Sequence, residues 1–259
     1  MRNRIWFILA ALIFFIGKTH SQQTCEISKL AFSKDESLNY EVYYHWGLIW
    51  ANAGEANFSI NKEALGGRKV FYISGTGKTY GSYDWFYKVR DKFESWVDTA
   101  TLKPIRHIRN TKEGGTKIYN DNYFKKNTAI CYKIEKNIVK KDSVKFEECT
   151  FDVLTMIYYA RCIDYSKYKQ GDKIPIKLYL DGEVHDSLYI RFLGKEKLKT
   201  EIGEKNCIMF SPLLIKGTIF SGGEKMTVWV TDDDKKIPVL IKTPIVVGEI
   251  QVKIRKEIK

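Results

Sequence analysis

Hydrophobic and polar positions alternate with a period of two along most of the chain. Leu38, Tyr40, Val42, Tyr44 and Trp46 share one face, and Asn39, Glu41, Tyr43 and His45 share the other. That is the pattern of a half-buried strand. Ala56, Phe58 and Ile60 alternate with Asn57, Ser59 and Asn61, and Val70 to Ile73 opens a third strand. Gly114-Gly115 and Asp181-Gly182 are hairpin turns between further alternating runs. The strand-like segments after Leu198 are separated by Glu204-Lys205-Asn206, Ser221-Gly222-Gly223 and Asp232-Asp233-Asp234, all turn chemistry. Short strands joined by tight turns predict an antiparallel sheet and not βαβ units.

Two segments leave this period. Asp152 to Arg161 places Val153, Met156, Ile157 and Ala160 at helical spacing, with Asp152 as N-cap, while Leu154 and Tyr158 make the opposite face apolar too. A helix apolar nearly all round is a buried one. Ser82 to Arg90 is read as a second short helix. The expected fold is therefore mainly β: a single strongly curved antiparallel sheet, half-barrel or barrel-like, packed on one central helix.

The first residues differ from everything that follows. Arg2 and Arg4 precede an apolar run from Ile5 to Ile16, which small and polar residues follow up to Ser21. This is the order of a secretory signal peptide, and the run falls short of the roughly 20 apolar residues of a membrane span. Residues 1–21 are expected to be a cleaved leader and 22–259 one β-rich domain. Gln22 and Thr24 before Cys25 do not fit a lipoprotein signal, so the expected product is a soluble exported protein. Loss of Arg2, Arg4 and Lys18 lowers the formal charge from +12 to +9.

Five cysteines remain: Cys25, Cys131, Cys149, Cys162 and Cys207. No C-x-x-C spacing suggests zinc, and Cys131 and Cys207 sit in apolar strand-like runs where a buried free thiol is the plain reading. Cys149 with Cys162 is the first disulfide to inspect. Ser74-Gly75-Thr76-Gly77-Lys78-Thr79 ends like a phosphate-binding loop, but Tyr72 stands where the first glycine belongs, so no nucleotide is expected. His45, His107 and His185 are expected on solvated strand faces, and no metal or other cofactor is implied. A hydrolase is a minority reading that needs a Ser or His and an acidic partner converging in a cleft. Lys133 to Lys145 offers a basic stretch for an anionic envelope surface, or a solvated hairpin; nucleic acid does not suit an exported protein.

Aromatic residues supply the remaining hint. Tyr40, Tyr44, Trp46, Trp50, Tyr158 and Trp229 are candidate contacts for a lipid-like ligand if the sheet encloses a cavity, and the same residues fit a filled core. Tyr40 to Ala56, Phe151 to Arg161 and Gly223 to Gly248, taken in order, resemble the bacterial exported family of domains of unknown function numbered 3108 (DUF3108). The resemblance spans about Leu38 to Val252. It implies antiparallel β with a helix in the concavity, broadly as in lipoprotein-carrier half-barrels, in a periplasmic protein of a Gram-negative-type envelope. It implies no catalytic residues. Two readings stay open: a non-enzymatic module that holds an apolar or amphiphilic molecule in an open concavity, and a scaffold or partner-binding domain whose concavity the helix fills.

Overall fold

The computed structural model of the chain describes residues 25, 27, 29–135, 138–216, 222–245 and 247–255. The expected leader, residues 1–21, lies outside the described residues. Eight strands run as an antiparallel meander: β1 (Glu36–Trp46), β2 (Ile49–Leu65), β3 (Arg68–Thr79), β4 (Val89–Asp98), β5 (Pro104–Glu113), β6 (Thr116–Lys125), β7 (Thr128–Glu135) and β8 (Ile138–Lys145). The short β9 (Thr150–Asp152) leads into the helix α1 (Val153–Cys162). A second meander follows: β10 (Lys173–Leu180), β11 (Glu183–Thr200), β12 (Gly203–Pro212), β13 (Thr227–Thr231), β14 (Pro238–Pro244) and β15 (Glu249–Ile254). All 15 strands form one sheet because β15 pairs with β1, giving the order β8 to β1, then β15 to β9. β9 and β10 pair in parallel; the other neighbours are antiparallel.

The sheet coils until its β9–β10 end lies over the inner face of β5 to β7. Side chains join the two, since Tyr179 Oη donates to Asn122 Oδ1 (2.8 Å) and Asn120 Nδ2 donates to Asp181 Oδ1 (2.7 Å). The wrap is thus barrel-like without a closed backbone ladder. Strand alternation sends the β1–β2, β3–β4, β5–β6, β7–β8, β10–β11, β12–β13 and β14–β15 connections to one end of the strands, the upper rim.

α1 fills the concavity. Asp152 caps it, accepting the amides of Leu154 and Thr155 at 3.0 Å each, as the sequence predicts. Leu154, Met156, Tyr158 and Ala160 are buried against Ile60, Ile73, Val97 and the inward residues of β10 to β13. A Cβ on Gly75 would come within 3.0 Å of Leu154, so the glycine of the loop-like string gives α1 room to approach and lies within a strand. At the other helix end, buried Arg161 forks onto Glu36 (2.6 and 2.9 Å) and onto the Ala31 and Lys235 carbonyls. Its charge sits in the last turn, where it also favours the helix dipole.

Three expectations are corrected. Ser82 to Arg90 is not a helix: a single 3-10 turn, Gly81–Tyr83, ends at Asp84, and Val89 already opens β4. Asp84 draws the loop closed through Thr79 Oγ1 (2.7 Å) and Arg90 (2.6 Å). Cys149 pairs with Cys25, 124 residues away, and not with Cys162. Cys162 lies one helix length from Cys149, about 15 Å at 1.5 Å per residue, with its Sγ on the Tyr158 carbonyl. Cys131, Cys162 and Cys207 are free, Cys131 and Cys207 being buried. Finally, His107 is buried instead of solvated, because β5 turns it inward beneath the start of α1.

Candidate functional site

The buried cluster under α1 contains the residue types of a hydrolase. Ser95 Oγ lies 2.9 Å from His107 Nδ1 and donates to Asp152 Oδ1 at 2.7 Å, and His107 Nδ1 is 3.2 Å from the same carboxylate oxygen. The roles are wrong for catalysis, however. A nucleophilic triad places the imidazole between serine and acid, using one ring nitrogen for each. Here Nδ1 faces both, and serine touches the acid directly. Ser95 and Asp152 are fully buried, so no substrate carbonyl can reach the hydroxyl. Burial raises the Asp152 carboxyl, but the His107 charge, the Thr155 hydroxyl and the Thr155 amide outweigh it and hold the group below the usual carboxylate range. The cluster anchors a helix. No group of His, Cys, Asp and Glu among the described residues gathers as metal ligands.

The large cavity lies outside the core, on the outer face of the first meander. It is a groove of ≈ 1000 Å³ spanning β1 to β7. Two rows of side chains build it, each at one register level. The upper row is Lys78, Arg90, Lys112 and Lys117, consecutive cross-strand partners on β3, β4, β5 and β6. At about 4.8 Å between strands, four cations cover about 14 Å. The lower row is Asn57, Thr76, Lys92, Asn110 and Tyr119, again register partners from β2 to β6. It offers amides and hydroxyls beside one ammonium. With Arg255, six cations line the groove beside the carboxylate of Glu55.

Like charges directly opposite on neighbouring strands are destabilising. Lys78 is relieved by Glu55 (2.9 Å) and Arg90 by Asp84 (2.6 Å). Lys112 and Lys117 face each other across the Gly114-Gly115 hairpin with no carboxylate partner among the described residues. Hydrogen bonding from Lys78, with the nearby Arg255 charge, holds Glu55 below its ordinary range. Asp91 behaves oppositely: burial, then the neighbouring Glu113 charge, pushes it up to about 7. Its side chain alternates to the inner face beside Thr111, away from the groove.

The aromatic candidates do not converge. Tyr40 is buried with its hydroxyl on the Pro238 carbonyl (3.0 Å) and its ring edge-on to Phe58. Tyr158 is buried beside Phe32 and Arg161, and its hydroxyl has no hydrogen-bond partner among the described residues. Trp229 lies on β13 beneath Lys242, with its indole N–H on Glu196. Tyr44, Trp46 and Trp50 belong to the β1–β2 hairpin at the upper rim, where Trp46 and Trp50 are exposed. The concavity holds α1 and the core packed around it. The Lys133 to Lys145 stretch forms the β7–β8 hairpin, whose Lys140 and Lys133 pair with Glu135 and Asp142. Its lysine-rich outer strand also guards the free end of the sheet against pairing with another chain.

The cationic row escaped the sequence reading, although one signal was present. A two-glycine hairpin centred on Gly114-Gly115 places Lys112 opposite Lys117 from sequence alone. The contribution of Lys78 and Arg90 needs the registers of two more hairpins.

A search of the curated proteins finds no match. Among solved structures, the chain is similar to the crystal structure of a beta-barrel-like protein of domain of unknown function DUF1849 from Brucella abortus. The identity is 10%, the TM-score 0.56, and the match covers 85% of this chain and 95% of that one. At that identity the likeness concerns the fold alone, and it agrees with the coiled sheet described above. Residues 39–255 match the family described as "Protein of unknown function (DUF3108)", and the chain belongs to that family.

Proposed function

We propose that this protein is a non-enzymatic module of the bacterial envelope that binds an acidic polyhydroxy molecule, such as an acidic saccharide, in the outer groove. The observation that carries this reading is the cationic row. Four consecutive strands present Lys78, Arg90, Lys112 and Lys117 side by side, and the facing pair Lys112 and Lys117, unlike Lys78 and Arg90, has no carboxylate of its own among the described residues to offset the repulsion. The adjacent amides and hydroxyls of Asn57, Thr76, Asn110 and Tyr119 suit sugar hydroxyls. Packing of the interior by α1 moves recognition from the concavity to this face. The disulfide supports export, since such bonds persist in oxidising compartments, and the expected leader points the same way.

The test is calorimetric titration with a carboxylated saccharide oligomer and with a neutral oligomer of equal length. Acidic ligand alone should bind, more weakly as salt rises. K112Q/K117Q should weaken it at least tenfold without lowering the melting temperature. Equal binding of both oligomers, or an unaffected double variant, overturns the reading.

A further inference from the structure

Large apolar side chains are exposed at one end of the molecule. Leu48, at the tip of the β1–β2 hairpin, is 100% exposed and is flanked by exposed Trp46 and Trp50. In the β3–β4 connection Trp85 is 83% exposed and Phe86 is also open to solvent. Val247 of the β14–β15 connection belongs to the same rim. Ile138 and Val139, exposed in the β7–β8 hairpin, reach that rim too. Such residues normally scatter singly over a surface, and their collection at one end marks an interaction surface.

The tips are braced before any partner arrives. Tyr44 joins two of them, with its ring 6.2 Å from that of Phe86 and its hydroxyl donating to the Val247 carbonyl (3.1 Å). Trp85 packs edge-on to Phe86 at 5.9 Å, and His45 stacks on Trp50 at 4.1 Å. Hairpin tips set around the rim of a coiled sheet can meet a flat surface together. The mixture of tryptophan, leucine and phenylalanine is that of side chains at a bilayer interface.

Charge on the page favours the same occupant. Lys112 and Lys117 flank the β5–β6 turn at this rim, and Lys140 and Lys141 follow the exposed Ile138 and Val139. When apolar tips enter the interface, these ammonium groups lie at head-group level, where anionic phosphates attract them.

We propose that the upper rim docks the protein onto an anionic lipid bilayer, with the β1–β2 and β3–β4 tips in the interface and the lysines on the head groups. This goes beyond the saccharide reading of the groove, and it can stand if that reading fails.

The experiment uses the chain from Gln22, which holds every described residue and omits the apolar run Ile5–Ile16 that would enter lipid on its own. Vesicles of phosphatidylcholine alone, and of phosphatidylcholine with one quarter phosphatidylglycerol, are floated with the protein while tryptophan emission is followed. The wild type should float with the anionic vesicles at least tenfold more strongly than with the neutral ones. Its emission should move to shorter wavelength, and bromine-labelled lipid should quench it. L48E/W85S changes two solvent-exposed side chains, so its melting temperature should hold while partitioning falls at least tenfold. A wild type that stays unbound at millimolar anionic lipid overturns the proposal and leaves the rim to a protein partner. Equal partitioning of L48E/W85S and wild type overturns it as well. Saccharide titration without lipid tests the groove separately.

Discussion

Replacing Asp152 by alanine distinguishes a helix anchor from a catalytic acid. Its carboxylate receives the Leu154 and Thr155 amides, the Thr155 hydroxyl (2.6 Å) and the Ser95 hydroxyl (2.7 Å), with His107 Nδ1 at 3.2 Å. Loss of an N-cap costs about 1 kcal/mol. Each buried donor left without an acceptor costs about 1–3 kcal/mol, and two amides and a hydroxyl compete for whatever the helix start can still offer. Allowing for local relaxation, Asp152→Ala should lose about 3–5 kcal/mol. Ser95→Ala should lose only about 1–2 kcal/mol, because Asp152 keeps its other partners. Urea unfolding followed by tryptophan fluorescence measures both, with the slope unchanged so that the midpoint reports stability. The carboxyl is held below its ordinary range, so its contribution is complete above about pH 4 and is lost as pH falls through the folded value. The variant should therefore unfold in acid with a shallower pH dependence than the wild type. A loss under about 1 kcal/mol for Asp152→Ala would refute the anchoring argument.

Two further perturbations follow from the same physics. Asp91 is raised to about 7, so the folded state binds the proton more tightly than the unfolded chain, and stability falls as pH rises from about 4 to about 7. Asp91→Asn should therefore raise the melting temperature at pH 8, by a few degrees for about 1–2 kcal/mol after solvent screening, and leave it unchanged at pH 4; scanning calorimetry at both values checks this. Cys25→Ser opens a link between positions 124 residues apart, for which chain entropy gives a loss of up to about 5 kcal/mol. Thermal unfolding with and without reductant should then show the wild type destabilised by reduction and the variant indifferent to it.

Local chemistry made much of this fold readable. Alternation along Leu38 to Trp46, the glycine hairpins and the Asp152 cap each specify their element through nearby residues, and the structure agrees with all three. Ser82 to Arg90 leaves the strand period as expected, but only for a 3-10 turn and a loop, not for a helix. An ion pair within the segment, Asp84 with Arg90, closes it as a loop. The Cys25–Cys149 bond was hidden for another reason. Which cysteines meet depends on how residues 29–35 cross the end of α1, placing Phe32 against Phe71 and Tyr158, and no local signal encodes that path. The groove fell between these cases. Each of its residues is an ordinary polar or charged residue in a strand, and only four successive registers turn them into rows.

That distribution bears on where this sheet does its work. The inner face is committed to stability: α1 occupies it, Gly75 makes room for Leu154, and Asp152 and Arg161 tie down the two helix ends. Residues free of such duties lie on the outer face and the upper rim, and there the chain departs twice from what stability alone favours. It aligns cations across neighbouring strands, where opposite charges would stabilise the sheet, and it sets tryptophan, leucine and phenylalanine at turns where polar residues would serve folding equally well. The two departures adjoin, since the cationic row ends at the hairpin whose tip belongs to the apolar rim. Arg90 closes its loop on Asp84 and Tyr44 braces two tips, but the facing Lys112 and Lys117 and the exposed Leu48 and Trp85 have no such structural duty, and it is these residues that the two proposals put to the test.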